Sequence, residues 1–348
     1  MNKIKSYQEE AAQYEALYLA RVSFQSKGLY RVLINENELL AEVSGKLRYQ
    51  SLTYPAVGDY VMIDRSEDGS GHAIIHHILK RYSLLERRMS GAEQGSQLIA
   101  ANIDQLFICM AMNNDFNLRR LERYLSIGWQ SGAIPVIILT KADLCEDLQG
   151  YLEQVSDIAL GVEIIMTSTV YGMGLDTISN QIKDNQTVAF VGSSGIGKST
   201  LINYLTKANQ MSTQETRSDD KGRHTTTARQ MIKLENGGYV IDTPGMRELG
   251  VENGDLTQTF SDIEQLAHQC KFNDCHHLKE PGCAVREAIE SGSLSEERFK
   301  SYRKLQKEIN YQDLTHKQRE VEKLNTMFAE VGGMKKARQF RQHKKLNR

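Results

Sequence analysis

No uninterrupted apolar run of about 18 residues occurs in the 348-residue chain, which excludes a bilayer-spanning helix. The first 20 residues alternate charged with apolar side chains, so no secretory signal is expected and the cytoplasm is the expected compartment. An excess of charge of one sign is also missing. The 43 Lys and Arg nearly balance the 44 Asp and Glu, so no global basic field drives nucleic-acid binding, and any such contact must come from local patches. Cysteine is scarce, with 5 in all. Cys109 and Cys145 stand alone, whereas Cys270, Cys275 and Cys283 cluster with histidines, a grouping that suits a metal better than a secreted disulfide framework. The composition, 40% hydrophobic and 25% charged, is that of a folded globular protein, and the length allows two or three domains.

The hydrophobic pattern changes character twice. A short helix is expected over residues 9–19, followed by strand-like runs at 30–34, 39–43, 60–63 and 73–79 separated by glycine-marked turns. Five short strands in this stretch fit an OB-like or SH3-like barrel. Arg31, Lys46, Arg48 and Tyr49 lie on it, either as a nucleic-acid surface or as an ordinary solvated face. A polar linker is expected over residues 86–101. Beyond it, apolar strand candidates at 106–112, 136–139, 163–166 and 188–191 alternate with helical stretches, which argues an α/β domain with a mainly parallel sheet. After about residue 249 no strand is expected. A helix capped by Ser293, with Glu296 three residues on, carries Phe299, Tyr302, Leu305 and Ile309 on one side. The last fourteen residues hold seven Lys or Arg and no acid. They are either a solubilising end or an RNA contact in which Phe340 stacks.

Gly192-Ser193-Ser194-Gly195-Ile196-Gly197-Lys198-Ser199 fits GxxxxGK[ST], directly after an apolar strand and before the helix that Thr200 opens. Such a loop turns its backbone N–H groups toward phosphates, sends Lys198 to the β and γ phosphates and offers the Ser199 hydroxyl to Mg²⁺. Downstream, a strand ends in Asp242-Thr243-Pro244-Gly245, where Asp242 is placed to hold Mg²⁺ through water and the Gly245 N–H to meet the γ-phosphate. Between them, Gly222-Arg223-His224-Thr225-Thr226-Thr227 lies in a polar stretch, and a hydroxyl of Thr225 or Thr226 can complete the Mg²⁺ shell of a switch. Thr140-Lys141-Ala142-Asp143 follows a buried-type strand. The Asp143 carboxylate accepts from the N1–H and exocyclic amine of guanine, a pair that adenine lacks, and Lys141 lays its stem along the base. Thr167 and Ser168, at the end of the next strand, fit the loop that closes over guanine O6.

The guanine motif here precedes the phosphate loop by some fifty residues, the reverse of the usual order. Strand pairing depends on spatial neighbours, so this reads as a circularly permuted P-loop GTPase domain. The expected division is an all-β OB-like domain with its linker (1–92), the α/β GTPase domain (93–250), and a mainly helical zinc-binding domain with a basic tail (251–348). Competing readings are an RNA-binding scaffold that holds GTP without turnover and, disfavoured by Asp143, a P-loop ATPase or small-molecule kinase.

This arrangement, with Pro55-Ala56-Val57-Gly58-Asp59, Asn102-Ile103-Asp104-Gln105 and the GRHTTT stretch, resembles the RsgA (YjeQ/YloQ) family of small-ribosomal-subunit-dependent GTPases over nearly the whole chain. The resemblance implies binding to the small subunit and its rRNA, hydrolysis of GTP to GDP during late subunit maturation, and release afterwards, by a protein expected to be monomeric. Thr140 stands where the family usually has Asn, which is expected to loosen the loop tether while Asp143 keeps base selectivity. Met246 follows Gly245 where Ras-like enzymes carry the glutamine that orients water, so His224 is the leading candidate for that role, and the resemblance points to the same position. Cys270, Cys275, Cys283 and either His276 or His277 supply a full tetrahedral set for one structural Zn²⁺. The family spacing favours His277.

Overall fold

The computed structural model describes residues 3–26, 28–35, 37–50, 53–67, 71–88, 96–207, 229–242 and 256–312. The chain divides into two compact units, Met1–Gly250 with Thr257–Ser261 and Val251–Leu256 with Asp262–Arg348. In chain order the first carries α1 (Lys3–Ala11), β1 (Tyr18–Ser26), β2 (Leu29–Ile34), β3 (Asn37–Val43), α2 (Gly45–Gln50), β4 (Tyr60–Ile63), β5 (Ala73–Ile78), β6 (Leu84–Arg88) and β7 (Ser96–Ala101). It continues with β8 (Gln105–Ala111), α3 (Leu118–Ser131), β9 (Ile134–Thr140), α4 (Leu148–Ile158), β10 (Glu163–Met166), α5 (Leu175–Gln181), β11 (Thr187–Val191), α6 (Lys198–Thr206), β12 (Arg229–Lys233) and β13 (Tyr239–Asp242). Among the described residues the helices that follow are α7 (Leu256–Thr259), α8 (Ser261–Ala267), α9 (Ala284–Glu290) and α10 (Glu296–Gln312). Among the described residues no helix is long and apolar enough to cross a membrane.

Strands β1, β2, β3, β5 and β4 pair in that order, and β4 returns to β1, closing an OB-like barrel. Alternation in β2, where Tyr30, Val32 and Ile34 are buried and Arg31 is exposed, reflects a sheet with one wet face. The α/β sheet has the order β10-β9-β8-β11-β13-β12, parallel except for β12. All seven residues of β8 are buried, as expected for a strand covered on both faces. Phe107 on β8 and Phe190 on β11 meet edge to face at 5.2 Å in its core.

Two expectations are corrected here. The N-terminal helix ends at Ala11, and Tyr18 already begins β1, the strand that closes the barrel. The expected linker at 86–101 instead contributes to a hairpin, in which β6 and β7 pair from Leu84↔Ala101 to Arg88↔Ser96. The barrel is also not a separate sheet: Phe24 and Gln25 of β1 pair with Gln230 and Arg229 of β12, so one eleven-stranded sheet runs through both parts.

The two signature stretches form the joint between barrel and α/β sheet. Gly58 lies at φ 93°, and a Cβ there would come within 2.1 Å of the Ala101 carbonyl oxygen. Glycine alone permits that approach. Asp59 is fully buried, receives the Ala56 N–H at 2.8 Å and accepts both Nε and Nη2 of Arg81 at 2.7 and 2.6 Å. Asn102 donates to the Gly58 carbonyl at 3.1 Å, and the Asp104 carboxylate accepts the Thr187 N–H at 2.8 Å. Arg21 of β1, 7% exposed, reaches Thr187 Oγ1 at 2.6 Å and lies over the rings of Tyr60 and Tyr239. The joint therefore sits at the start of β11, the end opposite the phosphate loop.

In the second unit, Val285, Leu294, Phe299, Tyr302 and Leu305 are buried. Arg298 grips Asp262 through Nε and Nη2, both at 2.7 Å, and Tyr302 donates to Glu264 at 3.0 Å. The α10 cap is Ser295 rather than the expected Ser293: the Ser295 hydroxyl accepts the Arg298 N–H, three residues on, at 3.3 Å. Ser293 instead donates to the Ala288 carbonyl at the end of α9.

Candidate functional site

β8, β9, β10, β11 and β13 run parallel, so their C-terminal ends share one edge of the sheet, where ligands bind in open α/β folds. The loop 192–197 leaves β11 at that edge and enters α6, for which Gly197 is the N-cap. Gly192 has φ 140°, and a Cβ there would lie 2.5 Å from the Cys109 carbonyl oxygen, so the loop can leave the sheet here only as glycine. Ile196 is 2% exposed and anchors the loop in the core, while Ser194, Gly195 and Ser199 are exposed. Lys198 turns back over the loop and donates to the carbonyl oxygens of Gly192, at 2.8 Å, and of Ser193. Thr200 lies in the first turn of α6. Exposed hydroxyl and backbone groups beside a lysine at a helix N-terminus make an anion site. Cys109 beneath it is wholly buried, which pushes its thiol up to about 12 and leaves it inert.

The guanine motif lies on the same edge. Thr140, 3% exposed at the end of β9, donates its hydroxyl to the Ile196 carbonyl at 2.6 Å. This bond fastens the segment that follows β9 to the loop 192–197 across 56 residues of chain. The Thr140 hydroxyl therefore supplies a tether of its own to the loop. Lys141 adopts a left-handed conformation at φ 60°, which turns the chain sharply into the one-turn helix Ala142–Leu144. Asp143, half-buried, accepts the Ser168 hydroxyl at 2.6 Å. The Ala142 N–H bonds the Thr167 carbonyl at 3.0 Å, so the loops after β9 and β10 are laced together. Thr167 and Ser168 are each 1% exposed.

Asp242 ends β13, beside the phosphate-loop strand, and its residue pairs with Gln230 of β12. The structure thus brings together residues 140–143, 167–168, 192–200 and 242. His224, Thr225, Thr226, Gly245 and Met246, together with the basic tail and Phe340, lie outside the described residues. Lys46, Arg48 and Tyr49, read from sequence as part of the barrel surface, fall on α2, where all three are exposed. Arg31 instead faces Glu38 at 3.4 Å. Arg21 and Arg120 escaped the sequence reading: Arg21 is a lone arginine in an apolar run, and Arg120 stands among Arg119, Glu122 and Arg123, where nothing local sets it apart from an ordinary charged helix face.

Cys270, Cys275, His277 and Cys283 place their ligating atoms within 4.8 Å of one another. Cys270 Sγ lies 3.9 Å from Cys283 Sγ, and His277 Nδ1 lies 3.5 and 3.4 Å from those two sulfurs. A tetrahedron with Zn–S of about 2.3 Å and Zn–N of about 2.0 Å has edges of about 3.8 and 3.5 Å, so Cys270, Cys283 and His277 Nδ1 match three of its corners, and Cys275 stands within reach as the fourth ligand. Burial and the neighbouring thiols push Cys283 up to about 11, so thiolate at neutral pH calls for a cation among them. Glu280 shapes the intervening loop by accepting the N–H groups of His276, Leu278 and Lys279.

The chain is similar to known proteins. The family model described as RsgA GTPase matches residues 78–252. A second model, described as ABC transporter, matches 175–335, a span that includes the phosphate loop and omits residues 140–143. The small ribosomal subunit biogenesis GTPase RsgA 2 of Lactiplantibacillus plantarum is 51% identical over 325 residues, 92% of each chain. RsgA of Methanosarcina acetivorans is 45% identical over 86% of this chain and 82% of its own. Among solved structures, YjeQ from Thermotoga maritima matches with a TM-score of 0.64 at 28% identity, covering 83% of this chain and 97% of its own. YloQ, described as a circularly permuted GTPase, matches with a TM-score of 0.62 at 26% identity over 87% of this chain and 98% of its own.

Proposed function

The chain belongs to the RsgA GTPase family and is therefore a GTP hydrolase; from that premise we propose that it binds the small ribosomal subunit during late maturation and dissociates once GTP is hydrolysed to GDP and phosphate. The observation that carries the site reading is the hydrogen bond from Thr140 to the Ile196 carbonyl, which holds the base-reading and phosphate-binding segments on one rim. In this reading Asp143 accepts from guanine N1–H and the exocyclic amine, Lys141 covers the base, and Thr167 and Ser168 close over O6. The N–H groups of 192–197, with Lys198 and Thr200, hold the phosphates, and Gly245 meets the γ-phosphate. Ser199, Asp242 and one of Thr225 and Thr226 hold Mg²⁺, which neutralises charge on the transferred phosphoryl group.

His224 orients the attacking water in this reading, since the neighbouring Met246 has no polar atom for the task. One structural Zn²⁺ on Cys270, Cys275, His277 and Cys283 organises the helical C-terminal unit. RNA contact is assigned to the exposed Lys46, Arg48 and Tyr49 of α2 and to the tail at 335–348, in a monomeric cytoplasmic protein. The pairing of β1 with β12 supports coupling between RNA contact and turnover, because residues 222–227 end one residue before β12 begins.

The test is GTP and ATP hydrolysis measured with and without purified small subunits. Subunit-stimulated turnover of GTP alone supports the reading. Stimulation that is absent, or equal for both nucleotides, refutes it. His224→Ala is expected to keep GTP binding and lose the stimulated turnover; a variant that retains it removes His224 from the role.

A further inference from the structure

Arg120 lies in the first turn of α3, well before the phosphate loop in sequence, and the fold brings the two together. Asn117 caps α3 by accepting the Arg120 N–H at 3.0 Å, which fixes the backbone from which the side chain departs. The side chain then leans toward the helix N-terminus. Its Nη1 donates to Asp115 Oδ2 at 2.9 Å and to Ser193 Oγ, the second residue of the phosphate loop, at 2.5 Å. Tyr124, one turn further along α3, is 3% exposed and lies near Ser193. On the inner side, Lys198 donates to the Ser193 carbonyl. The same limb of the loop is therefore held from within by the lysine that reaches the β and γ phosphates, and from outside by a guanidinium. Among the described residues neither Nε nor Nη2 of Arg120 has a hydrogen-bond partner.

Stability does not account for this arrangement. The Arg120 and Asp115 side chains are 30% and 42% exposed, and exposed pairs of that kind contribute little. The cap of α3 is already supplied by Asn117. What the contact does provide is a fixed positive charge and a fixed Ser193 at a loop that must hold a polyanion, where preorganised charge acts without reorganisation.

We propose that Arg120 is a positioning residue for GTP hydrolysis: through Ser193 it sets the limb of the loop facing the γ-phosphate, and its charge favours the triphosphate over the diphosphate. Asp115 opposes it by drawing the guanidinium back and by adding a negative charge. The proposal rests on the reading of 192–199 as the triphosphate cradle, which binding of GDP and GTPγS to the wild-type full chain checks separately.

The experiment compares GTPγS and GDP affinities, kcat and KM of the full-length wild type with those of Arg120→Met, Arg120→Lys and Asp115→Asn, with thermal melting as a fold control. Arg120→Met is expected to weaken GTPγS about tenfold and GDP by less than about threefold, with kcat/KM falling more than KM rises. Arg120→Lys, which keeps the charge, is expected to recover most of the GTPγS affinity. Asp115→Asn is expected to tighten GTPγS by about threefold and leave GDP unchanged. Equal losses for both nucleotides in Arg120→Met, no rescue by lysine, or weaker GTPγS binding in Asp115→Asn would each overturn the proposal. If Arg120→Met does not fold, the opposite-sign effect of Asp115→Asn still tests it. Wild type that binds neither nucleotide refutes the reading of the site instead.

Discussion

Asp143→Asn isolates the one side chain to which the proposed reading assigns base selectivity. The carboxylate sits half-buried at the end of β9 and its Oδ1 accepts the Ser168 hydroxyl at 2.6 Å. An asparagine of the same shape keeps that contact through its own carbonyl oxygen, so the local fold is retained. What changes is the pattern offered to the base. A carboxylate accepts from both the N1–H and the exocyclic amine of guanine, and each hydrogen bond to a charged group is worth about 1.5–3 kcal/mol. Asparagine keeps one neutral acceptor and turns a donor toward the amine, a donor facing a donor. The net loss is about 3–4 kcal/mol, or roughly 200- to 1,000-fold in affinity. Xanthine presents N1–H beside a carbonyl, which matches the acceptor and donor of asparagine, so affinity for XDP should rise as that for GDP falls. Competition of GDP, XDP and ADP for a fluorescent diphosphate reads all three. A variant that binds GDP as tightly as wild type, or that loses GDP without gaining XDP, would show that Asp143 does not read the base.

Thr140→Val removes the hydroxyl that reaches the Ile196 carbonyl while keeping the branched shape. The lost bond, about 1–1.5 kcal/mol, should weaken GDP about tenfold with little change in melting temperature; unchanged affinity means the tether does not hold the loop. Gly58→Ala forces a Cβ to within 2.1 Å of the Ala101 carbonyl oxygen at a positive φ, and should destabilise the chain by about 3 kcal/mol or more in urea unfolding. An unchanged midpoint would contradict the close approach at the joint. Protein purified without chelators should carry about one zinc per chain by metal analysis, and Cys270→Ser should lose most of it. Wild type without zinc removes the metal assignment.

Local spacing made the candidate segments of the site legible. The phosphate loop is a contiguous motif, since its glycines, Lys198 and Ser199 all act within one turn between β11 and α6, and the flanking strand and helix announce themselves by apolar pattern. The same holds for residues 140–143 and for β8, whose fully buried run could be read as a two-sided strand. The misreadings share one cause, which is polar groups buried by partners distant in sequence. β1 was missed because Arg21 and Ser23 interrupt its apolar pattern. Ser23 is 1% exposed and donates to Glu38 at 2.6 Å, a partner that pattern alone does not reveal. Residues 86–101 look like a solvated linker until β6 and β7 are seen to pair.

The chain order of motifs, with the base-reading segment ahead of the phosphate cradle, was enough to establish the permuted arrangement and the class of nucleotide, because hydrogen-bond pattern and glycine conformation are properties of short segments. The folded molecule added the contacts between remote segments: the hydroxyl of Thr140 on Ile196, the guanidinium of Arg120 on Ser193, and the run of one sheet from barrel into nucleotide domain through β1 and β12. None of these has a local signature. Each joins segments far apart in the chain, and such pairings exist only once the tertiary fold has brought those segments together.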